Sequence, residues 1–167
     1  MGKMTLESIK AAYAGESQAH IRYRLFAEQA EKDGRPNVAR LFRAAAEAEW
    51  IHATQHLKVL DGVGDTAANL SAARDGEDFE ATEMYPAYMA IAQLQDDKRA
   101  QQSIKHALGA EASHRDLYEA AQAAVAAGGD LDDAPLQLCK LCGYIVPGEA
   151  PDKCPVCMAP KKYFVAM

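Results

Sequence analysis

Two Glu-x-x-His pairs, Glu49/His52 and Glu111/His114, interrupt stretches that otherwise repeat apolar residues at helical spacing. Each has a further glutamate upstream: Glu16 lies 33 residues before Glu49, and Glu77 lies 34 residues before Glu111. Residues three apart share one face of a helix, so each pair sets a carboxylate beside an imidazole. A fifth carboxylate, Glu80, follows Glu77 by one turn. Carboxylates buried without partners cost several kcal/mol each, and no lysine or arginine stands on these stripes to pair with them. Two divalent cations, with the imidazoles as neutral donors, bring the charge close to balance. One Glu-x-x-His match arises readily by chance, whereas two in register with Glu16 and Glu77 do not.

The periodicity around these residues predicts four helical segments. The first carries Leu6, Ile9, Tyr13, Tyr23, Ala27 and Ala30 and ends near Lys32, where Asp33-Gly34-Arg35-Pro36 breaks the helix and starts another. The second presents Val38, Leu41, Phe42, Ala45, Val59 and Leu60, and stops at Asp61-Gly62-Val63-Gly64. Asp65 reads as the N-cap of a third, with Leu70, Ala73, Met84, Ala87, Ile91 and Leu94 on its apolar face and a kink expected at Pro86. The fourth, with Ile104, Ala107, Tyr118, Ala121 and Val125, ends at Gly128-Gly129. Short connections imply an all-α antiparallel four-helix bundle made of two similar hairpins, the architecture in which facing Glu and Glu-x-x-His residues hold a di-iron carboxylate centre.

All four cysteines of the 167 residues, Cys139, Cys142, Cys154 and Cys157, fall beyond these helices. Two Cys-x-x-Cys knuckles can wrap one tetrahedral ion; sulfur ligands alone leave iron and zinc both open, with a redox dithiol as a third reading. The expected domains are a bundle over residues 1–129, a linker over 130–136, and a small irregular or β module holding the four cysteines over 137–167. A net charge of −6 without a basic run argues against nucleic acid or an anionic membrane as partner. The first ten residues lack the apolar core of a signal peptide, and no run suits a membrane span, so a soluble, cytoplasmic protein with reduced thiols is expected.

The stretches Ala14-Gly15-Glu16-Ser17-Gln18-Ala19, Ala48-Glu49-Trp50-Ile51-His52 and Thr82-Glu83-Met84-Tyr85-Pro86 resemble rubrerythrins, ferritin-like non-haem di-iron peroxidases. The tail, with Cys139-Lys140-Leu141-Cys142-Gly143-Tyr144 and Cys154-Pro155-Val156-Cys157, resembles a short rubredoxin. The resemblance implies Glu16, Glu49, His52, Glu77, Glu80, Glu111 and His114 as iron ligands: Glu49 and Glu111 bridging, Glu16 and Glu77 terminal, Glu80 and His52 exchanging with redox state. It also implies iron in the four-cysteine site, with zinc as the rival. Tyr23 and Tyr85 would hydrogen-bond the ligands, core packing being the alternative for both. His20 and His56 read as ligand neighbours or ordinary satisfied histidines, and Trp50 as packing.

The implied activity is reduction of hydrogen peroxide to water, with electrons entering through the tail from an NAD(P)H-linked reductase or a rubredoxin. The implied assembly is a homodimer or higher homo-oligomer in which one subunit's tail approaches the other's bundle. The rival function is a ferroxidase or iron-handling protein with a structural zinc tail. One departure concerns the tail: rubredoxin knuckles carry glycine after the second cysteine, as Gly143 does, but Met158 fills the other place. Left-handed backbone there would cost methionine about 1 kcal/mol.

Overall fold

The computed structural model describes all residues, Met1–Met167, as two compact units, Met1–Gly64 and Asp65–Met167. The first unit is a hairpin of α1 (Lys3–Lys32) and α2 (Pro36–Val59). Pro36 opens α2, where its missing N–H is no loss. At the end of α1, Gly34 has φ 68° and the chain closes with Gly34 N–H on Glu31 O and Arg35 N–H on Ala30 O. This pairing satisfies two carbonyls that the helix leaves open. The same closure ends α2, but there Asp61 takes the left-handed backbone, with φ 51°.

The second unit contains α3 (Thr66–Phe79), a π-helical turn (Glu80–Met84), α4 (Tyr85–Leu94), α5 (Lys98–Ala126) and a small sheet. Asp65 caps α3 as expected, accepting from Ala68 N–H at 2.8 Å, and Asp97 caps α5 in the same way. The distortion expected at Pro86 lies just before it. Pro86 cannot donate to Thr82 O, and the preceding turn widens so that Tyr85 N–H reaches Glu80 O, five residues back. Pro86 itself sits in the first turn of α4. Beyond α5, strands β1 (Leu136–Cys139), β2 (Ile145–Pro147) and β3 (Phe164–Ala166) form an antiparallel sheet in the order β2-β1-β3.

The buried helix positions differ from the stripes of large apolar residues. Every buried helical residue is alanine: Ala19, Ala27, Ala30, Ala39, Ala46, Ala53, Ala92, Ala110 and Ala121. In α2 these recur every seven residues, the spacing of a straight seam between antiparallel helices. Leu41, Val38, Val59, Ile91 and Leu94, expected to face inward, are exposed. Alanine lets two helices approach closely, and the larger side chains flank the seam. No helix is long and apolar enough to cross a membrane.

Candidate metal centres

On the first hairpin, α1 brings Glu16 and α2 brings Glu49 and His52 into one group whose ligand atoms lie within 4.8 Å of one another. His52 Nδ1 is 3.4 Å from Glu49 Oε2. A hydrogen bond between the two carboxyls raises the pKa of Glu16 and lowers that of Glu49. His20 is satisfied elsewhere: its Nδ1 meets the Ala46 carbonyl at 2.8 Å. Trp50 is not core packing; it is exposed, with its ring 5.7 Å from that of His20. Tyr23 lies among Phe26 and Phe42, with ring centroids 6.2 Å from each, which favours its packing role.

On the second unit, Glu77 from α3 and Glu111 and His114 from α5 form an equivalent group. His114 Nδ1 stands 2.9 Å from Glu111 Oε2 and 3.7 Å from Glu77 Oε1. Glu77 Oε2 is buried with no hydrogen-bond partner. Burial, followed by the hydrogen bond and charge of Glu111, pushes the Glu77 pKa up to about 7. A buried carboxylate oxygen without a donor, beside a second carboxylate and an imidazole, is a donor set that fits a divalent metal. Glu80, at the start of the wide turn, falls outside the tight group; burial raises its pKa, and the charges of Glu111 and His114 act on it. Tyr85 is raised by burial and then by Glu111, Glu80 and Glu77, which places it in the field of these carboxylates.

The four-cysteine module is built twice over from one loop. Cys139 N–H bonds Tyr144 O and Gly143 N–H bonds Cys139 O; Cys154 N–H bonds Ala159 O and Met158 N–H bonds Cys154 O, all between 2.8 and 2.9 Å. Gly143 has φ 85° and Met158 has φ 63°, so methionine does occupy the left-handed position. The four thiols are free, with Cys139 Sγ 3.7 Å from Cys157 Sγ and Cys142 Sγ 3.5 Å from Cys154 Sγ. A tetrahedron with metal–sulfur bonds of about 2.3 Å has edges of about 3.8 Å, so these thiols are already spaced for one ion. Burial holds Cys142 and Cys157 above the ordinary thiol range. At Cys139 burial is outweighed by donors from the Leu141 and Cys142 backbone, and its pKa falls.

The module lies against α5 of its own chain. His114 Nε2 is 2.9 Å from Gly143 O. A carbonyl only accepts, so Nε2 carries the ring proton and donates it, leaving Nδ1 turned to Glu111 and Glu77, free to hold a metal. The Cys-x-x-Cys spacing contained no signal for this contact.

Comparison with known proteins covers nearly the whole chain. The rubrerythrin family profile matches residues 7–122, and the profile described as the rubredoxin-like domain of rubrerythrin matches residues 138–165. Rubrerythrin-2 of Clostridium acetobutylicum is 35% identical, covering 98% of this chain and 96% of its own. Nigerythrin of Nitratidesulfovibrio vulgaris is 38% identical, covering 97% and 86%. The solved structure of partially reduced nigerythrin superposes with a TM-score of 0.59 at 36% identity, over 100% of this chain and 88% of that one. The all-ferrous, fully reduced nigerythrin structure gives the same score. With a mostly helical ferritin-like body, glutamate–histidine groups for a di-iron site and four clustered cysteines for a rubredoxin-like iron, the chain belongs to the rubrerythrin family of peroxide-reducing oxidoreductases.

Proposed function

We propose that the chain reduces hydrogen peroxide to water at a di-iron site whose ligands are Glu16, Glu49, His52, Glu77, Glu80, Glu111 and His114. Cys139, Cys142, Cys154 and Cys157 would hold the iron that supplies its electrons, reloaded by an external NAD(P)H-linked reductase or a rubredoxin. Iron held by these carboxylates and imidazoles would supply the two electrons that, with two protons, convert hydrogen peroxide to two waters. The protein's own contribution is to compensate charge and to hold protons. The Glu16–Glu49 contact raises the pKa of Glu16 and lowers that of Glu49, and Glu77 takes up a proton near neutrality. Tyr85 has a hydroxyl suited to steadying a ligand carboxylate. Glu80 and His52 are the pair assigned to alternate as ligands.

The observation that carries the relay is the His114 ring, which faces two carboxylates through one nitrogen and a cysteine knuckle through the other. A cytoplasmic homodimer or larger homo-oligomer is the proposed setting.

The test is to reduce the iron-loaded protein fully without air, add stoichiometric hydrogen peroxide, and follow the visible colour of the tail beside a sample given dioxygen. Colour returning in step with peroxide loss, and faster than with dioxygen, is the expected result. A colourless tail that contains zinc would overturn the relay in favour of iron handling, and faster return with dioxygen would make the protein an oxidase.

A further inference from the structure

We propose that Gly109 is a positioning residue: the missing side chain makes the seat that holds the four-cysteine module on α5 and thereby fixes the module against the His114 imidazole. Gly109 lies inside α5, where glycine is a poorer helix former than alanine, so its presence needs a reason. Its surroundings provide one. A Cβ at Gly109 would stand 2.6 Å from Val156 Cγ1 and 3.1 Å from Val156 Cγ2. Val156 lies between Cys154 and Cys157, is β-branched, and packs on the module's own buried residues, so turning it aside costs it that packing. The other glycines within long helices, Gly15 and Gly76, have nothing within 4 Å of the same point.

The neighbouring residue completes the seat. Ala110 is buried beneath the other knuckle, its Cβ 3.7 Å from where a Gly143 Cβ would be. Gly143 is the residue whose carbonyl receives the His114 N–H, one turn further along α5. Both knuckles therefore rest on Gly109-Ala110, and a methyl at Gly109 lifts the second knuckle and pulls on the hydrogen bond of the first.

The consequence for electron transfer rests on the relay proposed above, so the experiment reads the seat separately. Gly109→Ala, Val156→Ala and the double variant are compared; Gly109→Ala improves helix propensity, so loss of folding does not confuse the result. In the full chain with zinc in the four-cysteine site, nuclear magnetic resonance follows solvent exchange of the His114 Nε2 proton. Exchange about tenfold faster is expected in Gly109→Ala, with near wild-type exchange restored in the double variant, where the clashing methyls are gone. In the iron-loaded, reduced protein, reoxidation of the tail by peroxide is expected to slow about tenfold and recover in the same pattern.

Unchanged proton exchange in Gly109→Ala, or a change that Val156→Ala does not rescue, would overturn the seat. If the wild-type tail is not reoxidised by peroxide at all, the relay fails, while the proton exchange still decides whether Gly109 positions the module.

Discussion

Replacing Glu77 with glutamine is expected to stabilise the metal-free protein at pH 8 while abolishing metal binding at its group. The folded-state pKa of Glu77, about 7, is raised from the ordinary 4.5 by burial and by Glu111. A group raised in this way favours the folded state fully below pH 4.5 and loses that advantage as pH rises through 7, because the folded protein then binds the proton that the unfolded chain has released. A difference of this size corresponds to about 3 kcal/mol. The side chain is 19% exposed, and screening through that opening reduces the effect to about 1–2 kcal/mol. Urea unfolding of chelated wild type should therefore show falling stability between pH 4.5 and 7. Glu77→Gln should be flatter across that window and more stable above it. With metal present the order reverses, since the variant cannot supply the anionic oxygen. A Glu77→Gln protein no more stable than wild type at pH 8, in the chelated state, would refute the reasoning that this carboxylate waits for a cation.

Glu49→Ala should lose iron from the carboxylate site yet keep the tail metal, as metal analysis would read. Cys154→Ser should empty the four-cysteine module while the far-ultraviolet helical signal persists, because that module has its own buried cluster. Met158→Gly, removing a side chain from backbone at φ 63°, should stabilise the module by about 0.5–1 kcal/mol, measured as slower loss of metal to a chelator. Asp65→Ala, which deletes the bond to Ala68 N–H, should cost about 1 kcal/mol in urea unfolding.

Local chemistry was the legible part of this molecule. The cap at Asp65, the breaks at Gly34 and Gly128, and the carboxylate–imidazole pairs at Glu49/His52 and Glu111/His114 all depend on residues within a turn of one another. The positive φ at Met158 could be anticipated because its twin, Gly143, occupies the equivalent place in the other knuckle. What the periodicity concealed was which apolar residues go inside. Leu41 and Ile91 repeat at helical spacing as faithfully as Ala46 and Ala53, and only close packing of the helices decides that the alanines form the seam. The wide turn at Glu80–Met84 was visible only as its cause, Pro86, since a lost N–H does not say on which side the helix will deform. The contact of His114 with Gly143 joins residues 29 apart through a docking surface, and nothing local announces it.

An interior made almost wholly of alanine changes the kinds of mutation these helices tolerate. The commonest large injury to a protein core is a side chain cut short, which leaves an empty volume behind. At Ala39, Ala46 or Ala53 there is almost nothing left to cut, so nearly every substitution adds atoms and must push the helices apart. Sequence drift at these positions is thus confined from above by collision, whereas the larger residues flanking the seam are free to trade shapes. The bulky apolar residues can therefore change while the helix spacing that sets Glu16 beside Glu49 is kept.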